Sequence, residues 1–284
     1  MKNMIEDNFG QSNTYKLYRT VYEIIHPTIS KKNISNYKIV LKEELLPLKI
    51  FYPKKISKLQ KILIYLPGKK EIVNKTKSYD EVCKELVERL NLLVIAIDYS
   101  KDEESYEQDV IDCYKTINYL IEELEKLEFK GKNIIVMGDS IGASILANVS
   151  CLKEENKIEK EILLYPALNL NFDSNLAFPS TKVTSPVDDF TINKLSKFKK
   201  QYIKDSYTSP LQVKSYENYP KTLIITGDLD PLRDEGEYLA KNLKEAGKRP
   251  KYENIKFATH GFLNSKEEES IEECFNIILK FIAA

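Results

Sequence analysis

The sequence predicts an α/β fold in which a mostly parallel sheet is covered by helices on both faces. Short, continuous apolar runs alternate with helical patterns, as expected when crossover helices bury strands from both sides. One such run, Asn133-Ile-Ile-Val-Met, passes directly into Gly138-Asp-Ser140-Ile-Gly142. A small-residue helical pattern with Ala143, Leu146, Ala147 and Val149 follows at once. Strand, sharp turn and helix are therefore contiguous there, and the turn needs glycine at both flanks because a Cβ at either would strike a neighbouring strand or helix.

At 284 residues the chain suits one α/β domain spanning 1–284, and 42% hydrophobic residues can bury a large core. Lys+Arg and Asp+Glu stand at 43 each, so no net charge argues for nucleic acid or an anionic membrane. No apolar run approaches the roughly 20 residues of a membrane span, and the N-terminus lacks an apolar signal segment. A cytoplasmic location is the expectation. The cysteines, Cys83, Cys113, Cys151 and Cys274, lie in helical patterns without metal-ligand spacing, so no metal site is expected. Only His26 and His260 can supply an imidazole.

Residues 1–35 mix aromatic, aliphatic and polar residues at helical spacing up to His26-Pro27, which suggests a segment that packs over the domain or roofs a site. Residues 37–41 and 48–52 read as an antiparallel opening pair. Residues 61–66 form the next strand, broken at Pro67-Gly68-Lys69-Lys70. Ser78 and Glu81 make a capping box for a helix with Val82, Leu86 and Leu90 on one face. A strand at 92–97, a long amphipathic helix at 107–129 and the strand before Ser140 follow. Strands at 161–165 and 222–226 flank a turn-rich stretch, 169–185, and a helical one, 188–207. That insertion is too long for a simple connection and predicts a cap or binding element, with 1–35 as its other part. A helix over 234–246 stops at Gly247, a last strand occupies 252–257, His260-Gly-Phe262 is a loop, and Ser265 with Glu268 caps the final helix.

Ligands in such folds bind beyond the C-terminal ends of the strands, where Pro67-Gly68, Ser140, Asp230 and His260 all fall. A serine hydroxyl is a weak nucleophile that needs a base, and an imidazole needs a carboxylate to orient it. The order Ser140, Asp230, His260 suits that chemistry in this topology. Asp230 leads Asp228 and Asp234 because Pro231 holds it extended just after a strand; Asp228 is the runner-up.

Taken together, these motifs resemble the hormone-sensitive-lipase-like branch of the α/β-hydrolases, the branch of small bacterial carboxylesterases and acetyl esterases. Gly138-Asp-Ser-Ile-Gly-Ala143 is similar to its nucleophile elbow, Asp230-Pro-Leu-Arg-Asp-Glu-Gly236 to its acid motif and His260-Gly-Phe262 to its histidine motif. Asp98-Tyr99, Leu164-Tyr-Pro166 and Ser209-Pro-Leu211 match further landmarks, so the resemblance spans about residues 45–282. It implies an α/β-hydrolase fold with a helical cap and a serine esterase on short acyl esters, using Ser140, Asp230 and His260. The branch's His-Gly-Gly-Gly oxyanion motif falls here on Pro67-Gly68-Lys69-Lys70. Backbone N–H groups of Gly68, Lys69, Lys70 and Ile141 are the expected oxyanion donors. Two roles stand for the lysines: both ammonium groups in solvent, or one reaching the site and favouring a carboxylate-bearing substrate. No metal or organic cofactor is required by this chemistry. The expected partner is a small-molecule ester, and a homodimer is compatible with the chain but not demanded by it. A binding protein without catalysis and an amidase or peptidase with the same triad are the alternatives.

Overall fold

The computed structural model describes residues 36–39, 45–53, 61–69, 77–99, 105–126, 134–152, 158–170, 178–182, 186–203, 209–213 and 215–284. Among them, eight strands form one sheet: β1 (Asn36–Ile39), β2 (Leu48–Phe51), β3 (Ile62–Leu66), β4 (Leu93–Ile97), β5 (Ile134–Asp139), β6 (Lys160–Leu164), β7 (Lys221–Gly227) and β8 (Lys251–Ile255). Their spatial order is β1-β2-β4-β3-β5-β6-β7-β8. β2 runs antiparallel to β1 and β4, and every other pairing is parallel. The helices are α1 (Tyr79–Leu90), α2 (Tyr106–Lys126), α3 (Ile141–Leu152), α4 (Pro186–Tyr202), α5 (Arg233–Glu245) and α6 (Glu268–Ala283).

Continuous apolar strands split their side chains between two cores, as the period of two requires. Ile62, Ile64, Leu66 and Val136 face Ile117 and Leu120 of α2, Leu146 of α3, and Leu239 of α5. Leu63, Tyr65, Ile135 and Met137 face Val82 and Leu86 of α1, and Phe275 and Ile278 of α6. Each fully buried Leu, Ile or Phe contributes about 1.5–3 kcal/mol, so the sheet is held from both sides by comparable apolar layers. The parallel strands consequently end together along one edge. Register places Leu66 beside Gly138, Asp139 beside Leu164 and Gly227 beside Ile255. Loops from distant parts of the sequence converge above that edge.

The turn between β5 and α3 is as tight as its two glycines predict. A Cβ on Gly142 would stand 2.1 Å from the Leu66 carbonyl oxygen, and one on Gly138 would stand 2.6 Å from the Gly142 oxygen. Ser140 between them takes φ of +52°, a left-handed conformation that few non-glycine residues adopt. The Ser78 capping box is present, with the Ser78 N–H donating to Glu81 Oε2 at 2.6 Å.

Three local expectations differ from the structure. The last strand ends at Ile255, because Phe257 turns to φ of +60° and leaves its ring exposed. The N-cap of α6 is Glu267, while Ser265 donates to the Phe262 carbonyl and accepts from the Glu267 N–H. Ser265 thus closes the preceding turn, Phe262–Asn264, and Glu267 is left to serve the loop before it. Helix α4 starts at Pro186 and ends at Tyr202, earlier at both ends than periodicity suggests. The segment 1–35 with His26, Lys70, and residues 127–129 and 204–208 lie outside the described residues.

One buried carboxyl joins the edge of the sheet to α5. Glu235 Oε2 accepts from the N–H groups of Leu168 and Asn169, at 2.6 and 2.8 Å, and so pins the chain leaving β6. Burial pushes its pKa up to about 7, although those two donors pull it down. An acid whose folded pKa is raised binds its proton more tightly when folded, so the stability it contributes is complete below its ordinary 4.5 and is lost as pH rises through about 7. Chemical denaturation should therefore show a decline of about 3 kcal/mol across that window from this group, and Glu235→Gln should flatten it. Gly142→Ala, which places a Cβ against an unyielding strand carbonyl, should lower unfolding free energy by about 3 kcal/mol or more in the same assay.

Candidate active site

Three side chains predicted from sequence meet above the sheet edge. Ser140 Oγ lies 2.9 Å from His260 Nε2, and His260 Nδ1 lies 2.9 Å from Asp230 Oδ2. With Nδ1 protonated and donating to Asp230, Nε2 is left to accept from the serine hydroxyl. All three residues are buried. The Asp230 carboxylate also accepts from the Leu232 N–H through Oδ1 at 2.8 Å, so the turn that follows β7 orients it. Its rivals face elsewhere: Asp228 is 43% exposed beside Arg233, and Asp234 accepts from Arg233 and from the Ser180 N–H.

His260 is held both by its own motif and by groups outside it. The ring of Tyr165 stands edge-on to it, 5.2 Å between centroids, and Phe262 packs edge-on against the same tyrosine at 4.9 Å. Glu267 bonds both the N–H and the hydroxyl of neighbouring Thr259. Gly261, with φ of +79°, turns the chain into the Phe262–Asn264 turn. Burial alone lowers the pKa of His260, but the Asp230 carboxylate, reinforced by the charges of Asp139 and Glu235, outweighs it and leaves the pKa raised above 6.5.

Asp139, next to the serine, is a buried carboxylate at the site that sequence reasoning did not single out. It is completely buried, and its Oδ1 accepts from Tyr65 OH at 2.5 Å and from the Gly68 N–H at 2.8 Å. Its Oδ2 lies 3.4 Å from Asn264 Nδ2. A charged residue closing an otherwise apolar strand was the available signal. The partners come from positions more than 70 residues away on either side and left none.

The loop after β3 departs from expectation in two respects. The Gly68 N–H is committed to Asp139 and cannot also face the serine, so Gly68 is corrected as an oxyanion donor. One expected role of the Lys69 ammonium, that it points to solvent, is also corrected. Lys69 is only 8% exposed, and its Nζ stands 2.9 Å from Asp109 Oδ2 and over the rings of Tyr99 and Tyr202. It is therefore not in solvent. Ile141 opens α3, where its N–H has no acceptor within the helix. Lys70 falls outside the described residues. No cluster of three or more His, Cys, Asp or Glu suited to a metal occurs among the described residues.

A cleft of about 750 Å³ runs along this loop, lined by Pro67, Gly68, Lys69 and Tyr99 on one side and by Phe198 and Tyr202 of α4 on the other. Ser140 and His260 lie outside its lining. Among the described residues no helix is long and apolar enough to cross a membrane.

Residues 63–264 match a family model described as alpha/beta hydrolase fold. The chain is 25% identical to an arylesterase of Saccharolobus solfataricus over 91% of its own length and 87% of the relative's. It is 27% identical to an ethyl acetate hydrolase of Pseudomonas putida, over 71% of this chain and 65% of that one. Among solved structures, a hyperthermophilic esterase from Pyrobaculum calidifontis shares the fold with a TM-score of 0.75 at 24% identity, over 98% of this chain and 90% of that one. The sheet order, the left-handed serine between β5 and α3, and a family match covering more than half the chain agree: this protein belongs to the α/β-hydrolases, in their hormone-sensitive-lipase-like branch.

Proposed function

We propose that this protein is a serine carboxylic-ester hydrolase that acts on short-chain acyl esters through an acyl-enzyme intermediate. The observation that carries the proposal is the relay of two 2.9 Å contacts from Ser140 through His260 to Asp230. Ser140 Oγ attacks the ester carbonyl while His260 Nε2 takes its proton, and Asp230 stabilises the imidazolium so formed. The backbone N–H groups of Ile141 and Lys69 hold the oxyanion, with Lys70 a third candidate. Collapse of the intermediate expels the alcohol, which receives the proton from His260. Water, deprotonated by the same imidazole, then releases the acid. The names of the arylesterase and ethyl acetate hydrolase relatives support an ester substrate, the latter a short acyl group. Helix α4, within the insertion 169–207, is a cap element of one domain spanning 1–284. Four free cysteines are in keeping with a reducing, cytoplasmic setting.

Initial rates on p-nitrophenyl acetate through p-nitrophenyl decanoate should be highest at the short end. Ser140→Ala should lower them by at least about 10³-fold. Equal background rates from the two folded proteins would overturn the proposal, and faster turnover of a matched anilide would replace it with an amidase. The base works only when neutral, so kcat/KM should rise with pH on one ionisation whose midpoint lies above 6.5. Asp230→Asn removes the charge that raises that pKa and should move the midpoint down while cutting kcat by about 10³–10⁴-fold, read from the same pH series.

A further inference from the structure

Loop 67–69 is tied at three of its backbone polar groups. Tyr99 OH donates to the Pro67 carbonyl at 2.5 Å, Tyr79 OH donates to the Gly68 carbonyl, and the Gly68 N–H donates to Asp139. Gly68 is so close to the elbow that a Cβ would stand 2.8 Å from Asp139 Oδ2 and 3.1 Å from Ser140 Cβ. The backbone N–H of Lys69 has no acceptor among the described residues, whereas the Lys69 side chain is anchored at its far end. Its ammonium meets Asp109 in the first turn of α2, where the positive end of the helix favours the carboxylate, and it lies 5.2 and 5.5 Å from the ring centres of Tyr99 and Tyr202.

An ion pair with both partners more than nine-tenths buried is a poor stabiliser, because desolvation consumes most of the Coulombic gain. What such a pair does supply is direction. A side chain fixed at its tip and a backbone fixed at residues 67 and 68 leave residue 69 little freedom to rotate. Oxyanion stabilisation depends on that rotation, since a donor must point to where charge develops before the reaction begins. Where the branch has glycine, a loop can reach this geometry through backbone freedom; here a lysine occupies the position and a buried aspartate holds it.

We propose that Lys69 is a positioning residue whose ion pair with Asp109 orients its own backbone N–H toward the oxyanion. The inference rests on the ester-hydrolase reading of Ser140. Tyr202 belongs to α4, so the same contact joins the oxyanion loop to the cap helix.

The test uses the 284-residue chain with p-nitrophenyl acetate as substrate and an alkyl trifluoromethyl ketone as probe, since that ketone binds the serine as an oxyanion-bearing adduct. Lys69→Met and Asp109→Asn should each lower kcat by about 10- to 100-fold, with KM within about three-fold, and weaken ketone inhibition by the same factor as kcat/KM. Lys69→Arg, which keeps the charge, should recover most of the loss. The apolar double variant Lys69→Met/Asp109→Leu has no charge left unpaired and should melt at or above the wild-type temperature. It should nevertheless be no faster than the single variants, because all of them remove one interaction. Wild-type kcat and ketone affinity in that stable double variant would overturn the inference alone. Absence of Ser140-dependent turnover in the wild type would overturn the ester-hydrolase reading and this inference with it.

Discussion

The buried carboxylate of Asp139 is the interaction on which the geometry of this site depends. A charge with no solvent access must find donors, or its burial costs several kcal/mol. Its donors are Tyr65 at the end of β3, the Gly68 N–H in the following loop and Asn264 beyond the histidine loop. Satisfying one carboxylate therefore brings three chain segments to the residue preceding Ser140. Pairing of Leu66 with Gly138 sets the coarse approach, and Asp139 sets the fine one.

Around that centre His260 is surrounded by more than one acidic group. Asp139, Asp230 and Glu235 all act on His260, and together they outweigh the tendency of burial to keep the imidazole neutral. Glu235 has a second task, holding the N–H groups of Leu168 and Asn169 where the chain leaves β6. Tyr165 occupies the same bend at φ of +36°, and its ring is edge-on to the histidine. The floor of the site is thus built by backbone turns whose polar groups are closed by carboxylates. Its wall is built by aromatic edges.

The loop after β3 shows how a local departure can be compatible with a retained geometry. Side-chain bulk in a glycine position would be a defect if it pointed at the serine. Here the bulk goes to Asp109, Tyr99 and Tyr202, and the ammonium that solvent or substrate was expected to meet is enclosed. Lys69, Tyr99 and Tyr202 also border the cleft beneath α4, so loop, helix and cleft share one wall.

The order of strands and helices, the elbow and the three relay residues were legible in the sequence because each depends on local physics. Apolar periodicity marks an element, glycine marks a forced close approach, and proline after Asp230 marks an extended acid. Those constraints act within a few residues and leave a pattern there. Asp139's partners, the grip of Glu267 on Thr259, the turn-closing role of Ser265 and the enclosure of Lys69 were settled only by tertiary structure. Each is a choice among several donors and acceptors of equal local merit, and burial resolves it by bringing together residues from distant parts of the chain. Sequence therefore determined which groups could perform the chemistry, whereas packing decided which of the remaining polar groups would hold them in place.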